Sequence, residues 1–129
     1  YLPFDPIALG SASTLGGVIA SGVSGPGRFR YGGLRDFILG LKFISGEGKV
    51  ITSGGKVVKN AAGFDLPKLF VGSLGRLGMI TEVSMKVFPR PREACFVWVS
   101  MSEHVDAMDC IQRAAASHWE LEAIDYFVE

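Results

Sequence analysis

All seventeen glycines of this 129-residue chain lie between Gly10 and Gly78, and none follows. Glycine weakens helices and strands by roughly 0.5–1 kcal/mol per position relative to alanine. A segment that concentrates it therefore needs close backbone approach or positive φ. The densest run covers residues 14–27: five glycines, Ala20 and three small hydroxylated residues, Thr14, Ser21 and Ser24, in fourteen positions. Exposed N–H groups in such a loop, beside a helix start, suit a diphosphate or the polar edge of a planar ring. Glycine content alone leaves a tightly turned surface loop as an equal alternative. The run is not a Walker A loop, because no Gly-Lys-Ser/Thr follows. Nor is it a Rossmann fingerprint, because no strand precedes it and the spacing differs.

Two further glycine segments follow. Residues 54–70 carry Lys56, Lys59 and Lys68 around a compact loop. They offer a face for an anion, or three ordinary surface lysines; Asn60 and Asp65 read as residues that hold the loop together. Residues 72–82, Gly-Ser-Leu-Gly-Arg-Leu-Gly-Met-Ile-Thr-Glu, place a glycine at every third position and then enter a strand. That arrangement can present backbone groups to a flat ligand edge, although taken alone it is a weak signal.

The glycine boundary coincides with a charge boundary. Residues 1–91 hold eleven Lys/Arg and five Asp/Glu, whereas residues 92–129 hold two and eight, so the neutral total conceals halves of +6 and −6. Pro89-Arg90-Pro91 stops any strand before it. Both tryptophans, both histidines and both cysteines come later. We therefore place a boundary near residues 89–94.

Local patterning predicts a short helix over 15–21 with Thr14 as N-cap. It also predicts a hairpin of 37–44 and 49–52 about Ser45-Gly46-Glu47-Gly48, and a helix over 65–71 capped by Asp65 with Pro67 in its first turn. Residues 79–88 alternate as a half-buried strand, with Met79, Thr81, Val83, Met85 and Val87 on one face. Beyond the boundary, 94–101 and 121–128 read as strands around a helix from Ser102 to about Ser117, an unfinished β-α-β unit.

Other chemistries fit poorly. Ser21, Ser24 and Ser73 lack a His/Asp partner for hydrolysis. His104 and His118 have no second ligand at metal spacing, so no metal site is expected. The cations are not interleaved with an aromatic platform, which argues against nucleic acid. Cys95 and Cys110 make no disulfide framework and read as buried free thiols, consistent with a reducing, cytoplasmic setting. No apolar stretch approaches the ~20 residues of a membrane span. Tyr1-Leu2-Pro3-Phe4-Asp5-Pro6 has no initiator Met and no signal-peptide pattern, and reads as the middle of a longer chain.

Read in this order, the three segments resemble the vanillyl-alcohol-oxidase (PCMH-type) FAD-binding family. Gly55-Lys56-Val57-Val58-Lys59-Asn60-Ala61-Ala62-Gly63-Phe64-Asp65 and the following residues to Gly75 are similar to the FAD-binding subunit of bacterial glycolate oxidase, as is Arg28–Gly40 with its Arg-Tyr-Gly-Gly-Leu-Arg-Asp-Phe-Ile-Leu-Gly core. The resemblance implies an α+β fold: the second subdomain of a PCMH-type FAD-binding domain over residues 1–91, an antiparallel or mixed sheet with short helices. Residues 92–129 would be the first β-α-β of a cap domain. It implies FAD as cofactor, lined at the flavin and diphosphate by Thr14, Leu15, Gly16, Gly17, Ala20, Ser21, Gly22, Ser24 and Gly25. The backbone near Ile80 would meet the adenosine end.

The implied reaction is oxidation of a small 2-hydroxy acid, glycolate above all, beside flavoprotein and iron–sulfur subunits of a complex. Such a complex would sit in the cytoplasm or peripherally on the inner membrane. A D-lactate-type dehydrogenase and a non-catalytic scaffold with an FAD-like fold are the alternatives. With the first FAD subdomain and most of the cap outside this sequence, no catalytic residue is assigned. The chain alone is expected to be inactive, to hold FAD weakly and to self-associate.

Overall fold

The computed structural model describes residues 1–5, 13–55 and 64–128; residues 56–63, with Lys56, Lys59 and Asn60, lie outside this description. The first helix, α1 (Leu15–Ser21), starts where the sequence places it, with Thr14 extended and its Oγ1 accepting the Gly17 N–H at 3.1 Å. It ends at Gly22, whose φ of 69° is a left-handed cap and whose N–H donates to the Val18 carbonyl. A one-turn helix, α2 (Arg28–Tyr31), and a 3-10 turn (Leu34–Asp36) lead into the central strand β1 (Ile38–Ile44).

β1 turns through Ser45 to Gly48 into β2 (Val50–Gly54), and helix α3 (Leu66–Phe70) precedes β3 (Met79–Met85). The sheet is antiparallel in the order β2-β1-β3. The fold is α+β, as the resemblance implies. Its core gathers Phe4, Ile19, Leu34, Phe37, Ile38, Leu41, Phe43 and Phe70. Phe43 from the central strand and Phe70 from α3 meet with ring centroids 4.4 Å apart.

The expected alternation of β3 needs correction. Met79 is exposed while Ile80, Val83 and Met85 pack on the core. The pairing with β1 explains this: Ile38 faces Met85 and Gly40 faces Ser84, so Leu39 is an extra residue in β1. Lys42 faces Glu82 and Phe43 faces Ile80, so Thr81 is an extra residue in β3. Each bulge resets the inside–outside phase of its own strand. That is why Ile38 and Leu41 are both buried although three positions apart. A strict period of two cannot anticipate either reset.

Beyond residue 91 the helix appears as α4 (His104–Ala115), but 94–101 and 121–128 form no strands. A lone parallel pair has too little sheet to persist. The two segments approach through rings instead, with Trp98 and Phe127 centroids 6.2 Å apart. Every residue from 89 to 106 is exposed. Cys95 is exposed and Cys110 only half-buried, so the expected burial of both thiols does not hold. With no further strand against this unit among the described residues, Phe96, Val97, Trp98, Phe127 and Val128 stay exposed.

The tail still meets the body. Arg30 pairs with Glu120 at 3.0 Å, and the Tyr31 hydroxyl donates to Glu122 at 2.9 Å. The Tyr1 hydroxyl lies 2.8 Å from that of Tyr31. The hydrogen bond with Tyr1, burial and the Glu122 carboxylate together hold the Tyr31 proton above the ordinary tyrosine range.

Phe70 is the most consequential single side chain to remove, because it bridges α3 and the central strand. Phe70→Ala is expected to cost about 3–5 kcal/mol. A urea titration followed by circular dichroism should show the loss as a lower midpoint.

Candidate functional site

Four N–H groups at the start of any helix lack intrahelical acceptors. In α1, Thr14 satisfies one of them, its Oγ1 taking the Gly17 N–H at 3.1 Å, while its carbonyl takes Val18 at 3.0 Å as the first intrahelical bond. The Leu15 and Gly16 donors have no acceptor among the described residues. Gly16 and Gly17 leave two positions of this first turn without a side chain, and Leu15 and Gly17 are exposed.

The third glycine segment is packed directly on this helix. A Cβ on Gly16 would sit 3.6 Å from the Ile80 Cβ, an ordinary contact, so the helix start rests on the start of β3. At the other end of α1, the carbonyls of Ile19 and Ala20 accept the N–H groups of Gly72 and Leu74 at 3.1 and 2.8 Å. A Cβ on Gly22 would lie 2.9 Å from the Gly72 nitrogen. The two backbones therefore touch where both residues are glycine. The structure thus joins Gly16, Ala20 and Gly22 to the strand and loop around Ile80, in one wall.

Ser21, Ser24 and Gly25 stand differently. The Ser21 hydroxyl donates to the Val18 carbonyl at 2.9 Å, and Ser24 Oγ accepts from the Leu34 N–H at 3.4 Å. Gly25 packs on Asp5, whose Cβ a side chain there would meet at 2.6 Å, and donates its N–H to Phe4 and Asp5 carbonyls. Asp5 also accepts the Gly27 N–H at 2.7 Å. These contacts order the loop after α1 against the chain's first residues.

Of the second segment, the described part is α3 and the residues before it. Asp65 makes no side-chain cap; it pairs with Lys68 at 2.6 Å, which partly neutralises one of the three lysines. His104 Nδ1 lies 2.9 Å from the Tyr126 hydroxyl. Among the described residues no cluster of His, Cys, Asp or Glu could hold a metal ion, and no helix is long and apolar enough to cross a membrane.

Ser73, which has no His/Asp partner for hydrolysis among the described residues, stands out for another reason. Ser73 Oγ is buried without a hydrogen-bond partner among the described residues. A buried polar group without a partner calls for an explanation. Its signal in the sequence was only a serine inside a glycine-every-third-position loop. Arg76, in the same loop, is exposed and has no acidic partner among the described residues.

Comparison with known proteins fits this geometry. Residues 1–54 match the profile of an FAD binding domain. The chain is 42% identical over 123 residues to glycolate oxidase subunit GlcE of Escherichia coli, covering 95% of this chain and 33% of that protein. It is 39% identical over 107 residues to glycolate oxidase subunit GlcD of Bacillus subtilis, covering 83% and 22%. It is 34% identical over 114 residues to a D-lactate dehydrogenase of Archaeoglobus fulgidus, covering 88% and 26%. The chain thus spans a third or less of each of these relatives. A solved alkyldihydroxyacetonephosphate synthase superposes with a TM-score of 0.50 at 34% identity, over 63% of this chain and 14% of that one.

FAD is the cofactor these relationships indicate, and two observations of the structure fit it. The start of α1 presents backbone rather than side chains, which lets a flat or diphosphate-bearing ligand approach closely. The orphaned Ser73 hydroxyl supplies a polar group beside the same helix. Thr14 holds this geometry through its cap. Thr14→Ala is expected to cost about 1 kcal/mol in stability and Thr14→Ser to restore it; thermal unfolding of the three proteins checks the order.

Proposed function

We propose that this chain, which belongs to the FAD-dependent oxidoreductases, is part of a subunit that oxidises a small 2-hydroxy acid, with glycolate as the substrate. The observation that carries the reading is the 42% and 39% identity to two glycolate oxidase subunits, over 95% and 83% of the chain. The wall formed by α1, the Gly72–Leu74 backbone and the start of β3 supports it. In this reading Thr14, Leu15, Gly16, Gly17, Ala20, Ser21, Gly22, Ser24 and Gly25 line the flavin and its diphosphate. The Ile80 backbone meets the adenosine end.

When bound, FAD supplies the acceptor for the hydride equivalent taken from the substrate. The residues of this chain hold and orient it. The Leu15 and Gly16 N–H groups, without an acceptor among the described residues, would meet its negative charge, and Gly16 and Gly17 would let the ring and diphosphate approach the backbone. No side chain here is assigned to proton removal. Residues 1–91 form the FAD-binding part and residues 92–129 open a cap over it, with flavoprotein and iron–sulfur subunits as partners. The complex works in the cytoplasm or on the inner face of the membrane. The D-lactate dehydrogenase match supports a second reading, in which the same flavin site takes a larger 2-hydroxy acid.

The test is the visible spectrum of the full-length parent protein before and after anaerobic glycolate. A flavin band that bleaches with glycolate is the expected result. Bleaching only with D-lactate would transfer the chemistry to the second reading, and absence of any flavin would leave a scaffold.

A further inference from the structure

Among the described residues the hydrogen bonds between body and tail are few: Arg30 pairs with Glu120, and Glu122 accepts from Tyr31 at 2.9 Å and from Tyr1 at 3.4 Å. α2 offers Arg30 and Tyr31; the tail offers Glu120 and Glu122, two residues apart beyond α4. Arg30 is about one-third exposed and Glu120 largely exposed, so their ion pair is weakly held in water. Tyr31 is better placed. Its ring stands edge-on to Phe88 at 5.1 Å and to Tyr1 at 6.2 Å, and its hydroxyl reaches Glu122 at 2.9 Å. Between these two attachments, residues 89–106 run exposed. The tail is thus tied to the body 35 to 37 residues beyond Met85, the end of the strand that precedes it.

α2 is also directly continuous with the loop that follows α1. The Arg28 and Phe29 N–H groups donate to the Gly25 and Pro26 carbonyls at 3.1 and 3.0 Å, and Tyr31 donates to Gly27 at 3.0 Å. Ser24 accepts from Leu34 just beyond α2. A pull on Tyr31 is therefore transmitted within one helical turn to Gly25 and Gly27.

From this connectivity we infer that Tyr31 and Glu122, supported by Arg30 and Glu120, form a clasp that latches the start of the cap to the loop lining the flavin. The clasp makes Tyr31 a positioning residue: it touches no cofactor, but it couples cap attachment to the shape of residues 24–27. The inference rests on the reading of residues 92–129 as cap and of 14–25 as flavin-lining.

The experiment uses the full-length flavoprotein. Trypsin reports the clasp through cleavage after Arg92, which is exposed and followed by Glu93, whereas Arg90 is protected by Pro91. Flavin release, followed by recovery of free-flavin fluorescence, reports the coupling. Tyr31→Phe keeps the ring against Phe88, and Glu122→Ala removes the acceptor. Each is expected to raise cleavage and flavin release together by about two- to fivefold, the range for one partly exposed hydrogen bond or ion pair. The double variant should be no worse than the more severe single one, and Glu122→Gln, which keeps an acceptor oxygen, should stay near the parent.

Unchanged cleavage in both single variants would overturn the clasp. Increased cleavage with unchanged flavin release would overturn its coupling to the loop. A parent protein isolated without flavin would sink the flavin reading itself, while the cleavage arm would still judge the clasp.

Discussion

Two backbones meet without side chains between them where α1 ends, and much of the architecture depends on that approach. Gly22 reverses the chain in a left-handed conformation that most residues adopt only at a cost of roughly 1–2 kcal/mol. It does so within contact distance of Gly72, itself at φ 83°. Because both positions lack a Cβ, the last carbonyls of α1 reach the N–H groups of the following loop. A helix of only seven residues is marginal in isolation. Here its C-terminal end is satisfied by a loop distant in sequence, one N-terminal donor is capped by Thr14, and its inner face is covered through burial of Ile19. The start of β3 is held beside Gly16 by the same packing. The wall offered to a cofactor is thus a consequence of helix termination.

Much of this was legible in the residues. Thr14 before a helix that stops at Gly22, the Ser45-to-Gly48 turn between two strands, and Pro67 early in a short helix are local signals, and each element appears within a residue or two of its expected limits. The family resemblance also rested on contiguous motifs. What the sequence concealed was non-local. Nothing in Gly72-Ser73-Leu74 announces that its N–H groups belong to the carbonyls of Ile19 and Ala20. The division of the glycine run into a helix-start set and an Asp5-packed set at Gly25 and Gly27 is equally invisible, since glycine looks the same whether it leaves room for a ligand or for another segment.

The tail shows the opposite failure. Alternation and β-branched content in 94–101 and 121–128 favour strands, yet propensity alone does not make a ladder. Strands form when neighbours satisfy their backbone groups and cover one face. Within this chain those segments have each other's rings and little else. Phe96, Val97, Trp98, Phe127 and Val128 accordingly remain open to solvent. The acidic character of the region still has a local expression, because two of its carboxylates find Arg30 and Tyr31 on the basic body.

The paired bulges in β1 and β3 bear on how such a protein can change over time. From Ile38 to Ile44 and from Met85 to Met79 each strand advances six steps, so the two extra residues cancel across the ladder. Without Leu39 and Thr81 the remaining six pairs would alternate regularly, with Ile38, Leu41 and Phe43 inward opposite Met85, Val83 and Ile80. The outward pairs would be Gly40 with Ser84, Lys42 with Glu82 and Ile44 with Met79. Losing either extra residue alone would put part of one strand out of phase with its partner and turn core side chains to water. Losing both would preserve every pair. Insertions and deletions in these two strands, forty positions apart in the chain, are therefore bound to one another: a descendant that drops one bulge survives best by dropping the other.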